Sequence, residues 1–298
     1  LTKYGSPEVL QLQEVPKPVA ANNQVLVKIH AASLNKADSF LMRGKPFLMR
    51  LVFGGISKPK LKILGADIAG RIVAAGPGVS RFQPGDAVFG DISNSGWGGF
   101  AEYAAVDEKA LVKKPADLPF EEAAAVPLAS VTALQALRDT GKLQPGQKVL
   151  INGASGGVGT FAVQIAKALG AEVTAVCSTS KAAQAKALGA DHVVDYTLGD
   201  VTRQAERFDL ILDIASFRPP GDYKNILQPD GAYIFVGGST AGIQAVREGA
   251  CEIGMVSRAL NDQEKADLTP IVIARDGIAI IVHPSNPVEN LTLEQVRN

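Results

Sequence analysis

The segment Asn152-Gly153-Ala154-Ser155-Gly156-Gly157-Val158-Gly159 has the clearest capacity for chemistry. Small residues let a backbone approach a phosphate closely. A helix N-terminus adds unpaired N–H groups and the positive end of its dipole. Gly153, Gly156 and Gly159 carry the spacing, Gly157 adds room, and the backbone of Ser155 and Val158 completes the turn. Glycines alone fit any tight turn, so the flanks decide. Residues 147–152 (QKVLIN) form a short apolar run, and a helical pattern opens at Gly159. Strand, glycine turn and helix in that order make a dinucleotide pyrophosphate site.

The end of the next strand, 172–178 (EVTAVCS), bears on which dinucleotide. An Asp or Glu there accepts from a ribose 2′-hydroxyl and repels a 2′-phosphate. The chain has Cys177-Ser178-Thr179-Ser180-Lys181, with no carboxylate. Hydroxyls and an ammonium suit a 2′-phosphate, so NADPH is expected, held by Ser178, Thr179 and Lys181. A helix cap and a solvated lysine would use the same residues.

Other chemistries are poorly supplied. The 298 residues contain two cysteines, Cys177 and Cys251, and three histidines, His30, His192 and His283, none in metal-ligand spacing. No protein-held metal is expected. The cysteines suit packing in a reducing compartment, and a cytoplasmic location is expected. Thirty basic residues balance thirty acidic ones, giving no basic excess for nucleic acid. No apolar run approaches the ~20 residues of a transmembrane helix. Leu1 is not a natural start, which leaves room for a lost leader.

Three textures position these residues. Up to residue 120, runs such as 24–33 (QVLVKIHAAS), 65–79 and 85–92 alternate or punctuate as strands do, so residues 1–120 form a β-rich first domain. Residues 121–238 alternate strands (147–152, 172–178, 192–196, 208–216, 231–238) with helices (119–141, 161–171, 181–190), which predicts a parallel sheet of βαβ units. Residues 239–298 differ, with a helix at 239–250, a strand at 251–258, a charged helix at 261–268 and a β-rich run at 269–284 turning at Asp276-Gly277.

In order along the chain, AASLNKAD (31–38), LGADIAGRIVAAGPGV (64–79), FQPGDAVFG (82–90), GGFAEY (98–103), AAAVPLASVTALQAL (123–137), the segment 144–173 and LGADHVVDY (188–196) resemble the medium-chain dehydrogenase/reductase superfamily, in its zinc-free quinone oxidoreductase branch. The resemblance implies an α/β fold: a GroES-like β domain, then a Rossmann doubly wound parallel sheet, with the active site between them. It implies that Lys181 and Tyr196 hold the 2′-phosphate of NADPH, that Thr132 and the strand end Val236-Gly237-Gly238 lie near the nicotinamide, and that Asn35 and Asp38 line the substrate side as catalytic residues. Zinc-dependent relatives place ligands where this chain has Asn35 and Gly65-Ala66-Asp67, so zinc is not expected. The tyrosine that often follows Arg43-Gly44 is replaced by Lys45-Pro46-Phe47.

Residues 237–297 resemble instead a fragment of an ABC-type phosphate-binding protein, with Ser239, Thr240 and Gly242 in its anion-binding turn. The expectation is a chimera in which residues 239–258 complete the parallel sheet and the run 269–284 is buried on the first domain or in a homodimer. The function expected is hydride transfer from NADPH to a quinone or α,β-unsaturated carbonyl. Two alternatives are a chimera that binds NADPH without turnover and, more weakly, a phosphate-binding module.

Overall fold

A computed structural model describes residues 1–44, 50, 55–215 and 218–236, and the strands at 253–256, 269–272 and 279–282. Internal contacts divide the chain into two units, Leu1–Ala129 and Ser130–Asn298.

In the first unit, β1 (Gln24–Ser33) leads through α1 (Lys36–Arg43) to β2 (Asp67–Ala75), β3 (Ala87–Asp91), β4 (Tyr103–Asp107), β5 (Val112–Lys113) and α2 (Phe120–Ala124). The strands form one antiparallel sheet in the order β4-β1-β2-β3-β5. Val25, Val27, Ile68, Ile72, Val88, Val106 and Leu111 make its core. Asn35 caps α1, and Gly44, at φ +58°, ends it with its N–H on Leu41 O. The ladder pairs Ser33 with Asp67, which brings the residues before α1 against the start of β2.

The second unit contains most of α3 (Pro127–Leu134), which continues as a π turn at Gln135–Thr140. The single helix expected over 119–141 is therefore broken. Pro127 has no N–H to continue α2 and its ring disfavours helix in the residue before it. Then follow β6 (Lys148–Asn152), α4 (Gly157–Ala168), β7 (Glu172–Cys177), α5 (Ala182–Ala187), β8 (His192–Asp195), β9 (Phe208–Asp213) and β10 (Leu227–Phe235). All five strands are parallel, in the order β10-β9-β6-β7-β8. With β6 first in sequence and central in space, this is the doubly wound pattern, reversing direction between β6 and β9. The inner strands β9, β6 and β7 are buried on both faces, so they are largely apolar rather than alternating. Val149, Ile151, Val173, Leu210 and Leu212 pack with Ala162, Val163 and Ala166 of α4, while Leu150, Val176 and Ile211 pack with Val201, Tyr223 and Ile226. Burying each of the Val, Leu and Ile side chains is worth roughly 1.5–3 kcal/mol.

The C-terminal strands correct one expectation. β11 (Ile253–Val256) does not extend the parallel sheet. It pairs antiparallel with β13 (Ala279–Val282), which also pairs with β12 (Thr269–Val272), giving a separate sheet in the order β11-β13-β12. A parallel partner needs a crossover, whereas antiparallel neighbours are joined by local chain reversal, and the run 269–284 supplies an open edge nearby. The hairpin expected across 269–284 is present as β12 and β13. The helices expected at 239–250 and 261–268 lie outside the described residues.

Candidate functional site

The glycine turn is built as phosphate binding requires. β6 ends at Asn152, Gly153 turns with φ +88°, and α4 begins after Gly156. The N–H groups of Gly153 and Ala154 both donate to Val176 O, at 3.3 and 3.1 Å, which ties the turn to β7. A Cβ on Gly159 would stand 2.1 Å from Gly153 O, so only glycine lets the helix meet the turn. A Cβ on Gly157 would meet nothing within 4 Å. The first-turn N–H groups of Gly157, Val158 and Gly159, which have no intrahelical acceptor, therefore begin beside open space. That cradle and those donors fit a pyrophosphate.

At the sheet edge, Ser178 follows β7 and precedes a short 3₁₀ turn, Thr179–Lys181. Lys181 and Tyr196 are both exposed. The Tyr196 N–H donates to Cys177 O at 3.2 Å, which sets Tyr196 beside the end of β7. Ser178, Thr179, Lys181 and Tyr196 thus lie just beyond the ends of β7 and β8. One residue absent from the expected set joins them. Asp195 lies opposite Cys177 in the ladder and accepts from the Thr179 hydroxyl. Cys177 is a free, buried thiol whose pKa burial pushes up, which makes it a packing residue.

Beneath the turn sits a buried polar cluster. Asn152 Nδ2 donates to Asp213 Oδ1 at 2.8 Å and to the Tyr223 hydroxyl at 2.9 Å, and the Tyr233 hydroxyl donates to Asp213 Oδ2 at 2.7 Å. Burial, then the charge of Asp213, raises the Tyr223 pKa and keeps its phenol protonated. Thr132 lies in α3, and Val236 continues from β10 with its N–H on Asp213 O. Gly237 lies outside the described residues.

In the first unit, the two expected catalytic residues are linked but differ in role. Asp38 is buried. One of its oxygens accepts from the Asn35 N–H at 2.8 Å and the other from the Gly65 N–H at 2.9 Å, so it orients backbone. Burial pushes its pKa up. Asn35 is half-buried, and Nδ2 donates both to Asp67 Oδ2 at 3.0 Å and to Ser33 Oγ at 3.3 Å. Its two amide protons point inward, and its remaining capacity is as an acceptor. Asp67, fully buried, also accepts from the Ser33 hydroxyl and from the Leu128 N–H, both at 3.0 Å. Its pKa is pushed up to about 6 by burial, against those hydrogen bonds.

Comparison with known proteins agrees with this layout. Residues 21–116 match the alcohol dehydrogenase GroES-like domain, and residues 157–265 match the zinc-binding dehydrogenase family. A chloroplast envelope quinone oxidoreductase homolog from Arabidopsis thaliana is 37% identical over 242 residues, covering 77% of this chain and 71% of that protein. The chain belongs to the medium-chain dehydrogenase/reductase superfamily. The mitochondrial NAD(P)H oxidoreductase RTN4IP1 of Danio rerio is 40% identical over 230 residues, covering 72% of this chain, which spans only 59% of that relative. The quinone oxidoreductase structure from Coxiella burnetii superposes with a TM-score of 0.75 at 31% identity, covering 84% of this chain and 78% of that one. The second family match runs to residue 265, past the boundary expected at 238.

Zinc, which the name of that second family implies, does not fit the residues at its expected place. Ala66 has no ligand atom, Asn35 offers only a neutral amide oxygen in place of a thiolate, and both Asp67 oxygens are held by hydrogen bonds from Asn35, Ser33 and Leu128. Among the described residues no three His, Cys, Asp or Glu side chains are grouped to hold a metal, and no helix is long and apolar enough to cross a membrane.

Proposed function

We propose that the chain is a zinc-independent oxidoreductase that uses NADPH to reduce a quinone or an α,β-unsaturated carbonyl. One observation carries the reading: the first-turn N–H groups of α4 open onto free space at the C-terminal end of the central strand, beside the reversal of strand order. The relatives, a quinone oxidoreductase homolog and an NAD(P)H oxidoreductase, support the substrate class and the cofactor.

Bound NADPH would supply a hydride from C4 of its nicotinamide. In this reading the backbone of 153–159 holds the pyrophosphate. Ser178, Lys181 and Tyr196 hold the 2′-phosphate, and Thr132 with Val236, just after β10, borders the nicotinamide. Asn35 lines the substrate side, with Asp38 and Asp67 fixing its place. A conjugated acceptor suits this equipment, because hydride addition gives an enolate or phenolate that is stable without a Lewis acid. Water then supplies the hydrogen bonds and the proton, since the Asn35 amide protons are turned inward. The buried free thiol of Cys177 suits a reducing compartment such as the cytoplasm.

A second reading, NADPH binding without turnover, draws on β11 pairing with β13 rather than extending the parallel sheet. Titration with NADPH, followed by its oxidation in the presence of a small quinone, tests both. Binding with quinone-dependent oxidation supports the first reading, binding without oxidation supports the second, and no binding removes both.

A further inference from the structure

The carboxylate that the end of β7 lacks is brought there by β8. Cys177 and Asp195 are partners in the parallel ladder, so Asp195 stands beside the first residues after β7 although it is far from them in sequence. One carboxylate oxygen accepts from the Thr179 hydroxyl, and the other accepts from the Thr197 N–H at 2.8 Å and the Thr197 hydroxyl at 2.6 Å. These hydrogen bonds, led by that from Thr179, hold the Asp195 carboxyl below the usual carboxylate range, so it is charged at neutral pH. Hydroxyls and a backbone N–H solvate that charge in place of a cation.

Two consequences follow for a ligand. A threonine hydroxyl has one proton, and that of Thr179 is given to Asp195, so Thr179 meets a ligand as an acceptor only. A ribose 2′-hydroxyl can donate to such an acceptor. A 2′-phosphate, carrying about 1.5–2 negative charges, cannot donate comparably and is repelled by the carboxylate. Lys181 and Ser178 pull the other way.

We propose that Asp195 is a specificity-determining residue of the dinucleotide site, which holds down the preference for NADPH over NADH by taking the Thr179 proton and setting a negative charge beside the ribose 2′ position. The inference rests on the nucleotide reading above.

Calorimetric titration of the parent chain, Asp195→Asn and Asp195→Ser with NADPH, NADH, adenosine 2′,5′-bisphosphate and adenosine 5′-monophosphate tests it. Removing the charge is expected to raise the NADPH:NADH affinity ratio by about 5- to 20-fold, a screened single-charge effect. The bisphosphate should gain by a similar factor, and the monophosphate should change less than about twofold, since it has no group at the 2′ position to be repelled. A purely structural Asp195 would weaken all four ligands alike and leave the ratio unchanged, which overturns the proposal. Loss of the fold in both variants also overturns it, by assigning Asp195 to the scaffold. A parent that binds neither dinucleotide removes the nucleotide reading itself, and this inference with it.

Discussion

Asn152 and Asp213 close the ends of two neighbouring parallel strands, and the amide of the first donates to the carboxylate of the second at 2.8 Å. The pair lies where the strand order reverses, immediately before Gly153. Asp213 also receives the Tyr233 hydroxyl. Asp213→Ala should strand these donors and cost about 2–4 kcal/mol in urea unfolding. Asp213→Asn should cost less, and NADPH affinity should fall in the same order. An unchanged unfolding midpoint in Asp213→Ala would show that the cluster does not support the turn.

Two glycines in one turn should respond in opposite ways. Gly159→Ala drives a methyl group to 2.1 Å from Gly153 O and should destabilise the fold by about 2–3 kcal/mol. Gly157→Ala meets only open space and should leave stability unchanged or raise it by up to about 1 kcal/mol. On the proposed reading that space is the phosphate cradle, so NADPH affinity should drop at least tenfold. Full NADPH binding by Gly157→Ala would place the pyrophosphate elsewhere.

On the proposed reading, Lys181 separates the two dinucleotides by charge. Lys181→Ala should weaken NADPH by about 1.5–3 kcal/mol, the worth of a hydrogen bond to a charged group, and leave NADH nearly unchanged. Equal losses for both, measured by fluorescence titration, would remove Lys181 from the 2′ position.

Asp67 makes stability depend on pH in the direction opposite to an ion-paired aspartate. Its folded pKa is raised to about 6, because burial favours the neutral acid. Its contribution is therefore present below the unfolded value and is lost as pH rises through about 6. The shift corresponds to about 3 kcal/mol between roughly pH 4 and pH 7. Melting temperatures of the parent should fall across this window relative to those of Asp67→Asn, which cannot titrate. Parallel curves for the two proteins would contradict the assignment.

What sequence makes legible here is local. The strand expected at 24–33 is β1 to the residue, since alternation of apolar and polar side chains needs no distant partner to be recognised. The glycine turn was readable for the same reason. Asp195 was not, because its place beside Thr179 depends on the register of β7 and β8, which no local pattern states. Nor was the commitment of the Asn35 amide, which requires Asp67 to face Ser33 across the antiparallel ladder. The pairing of β11 with β13 failed to be foreseen for a related reason: a four-residue apolar strand carries no label for the sheet that will accept it.

The single carbonyl of Val176 receives the N–H groups of both Gly153 and Ala154, one residue before β7 ends at Cys177. On the proposed reading, the phosphate grip and the adenosine grip are thereby tied to neighbouring residues of β7. Such a clamp is assembled before its guest arrives. Little ordering entropy is then due on capture, and the two halves of a dinucleotide reinforce each other as a tethered pair, the second meeting its partners at high effective concentration once the first is seated.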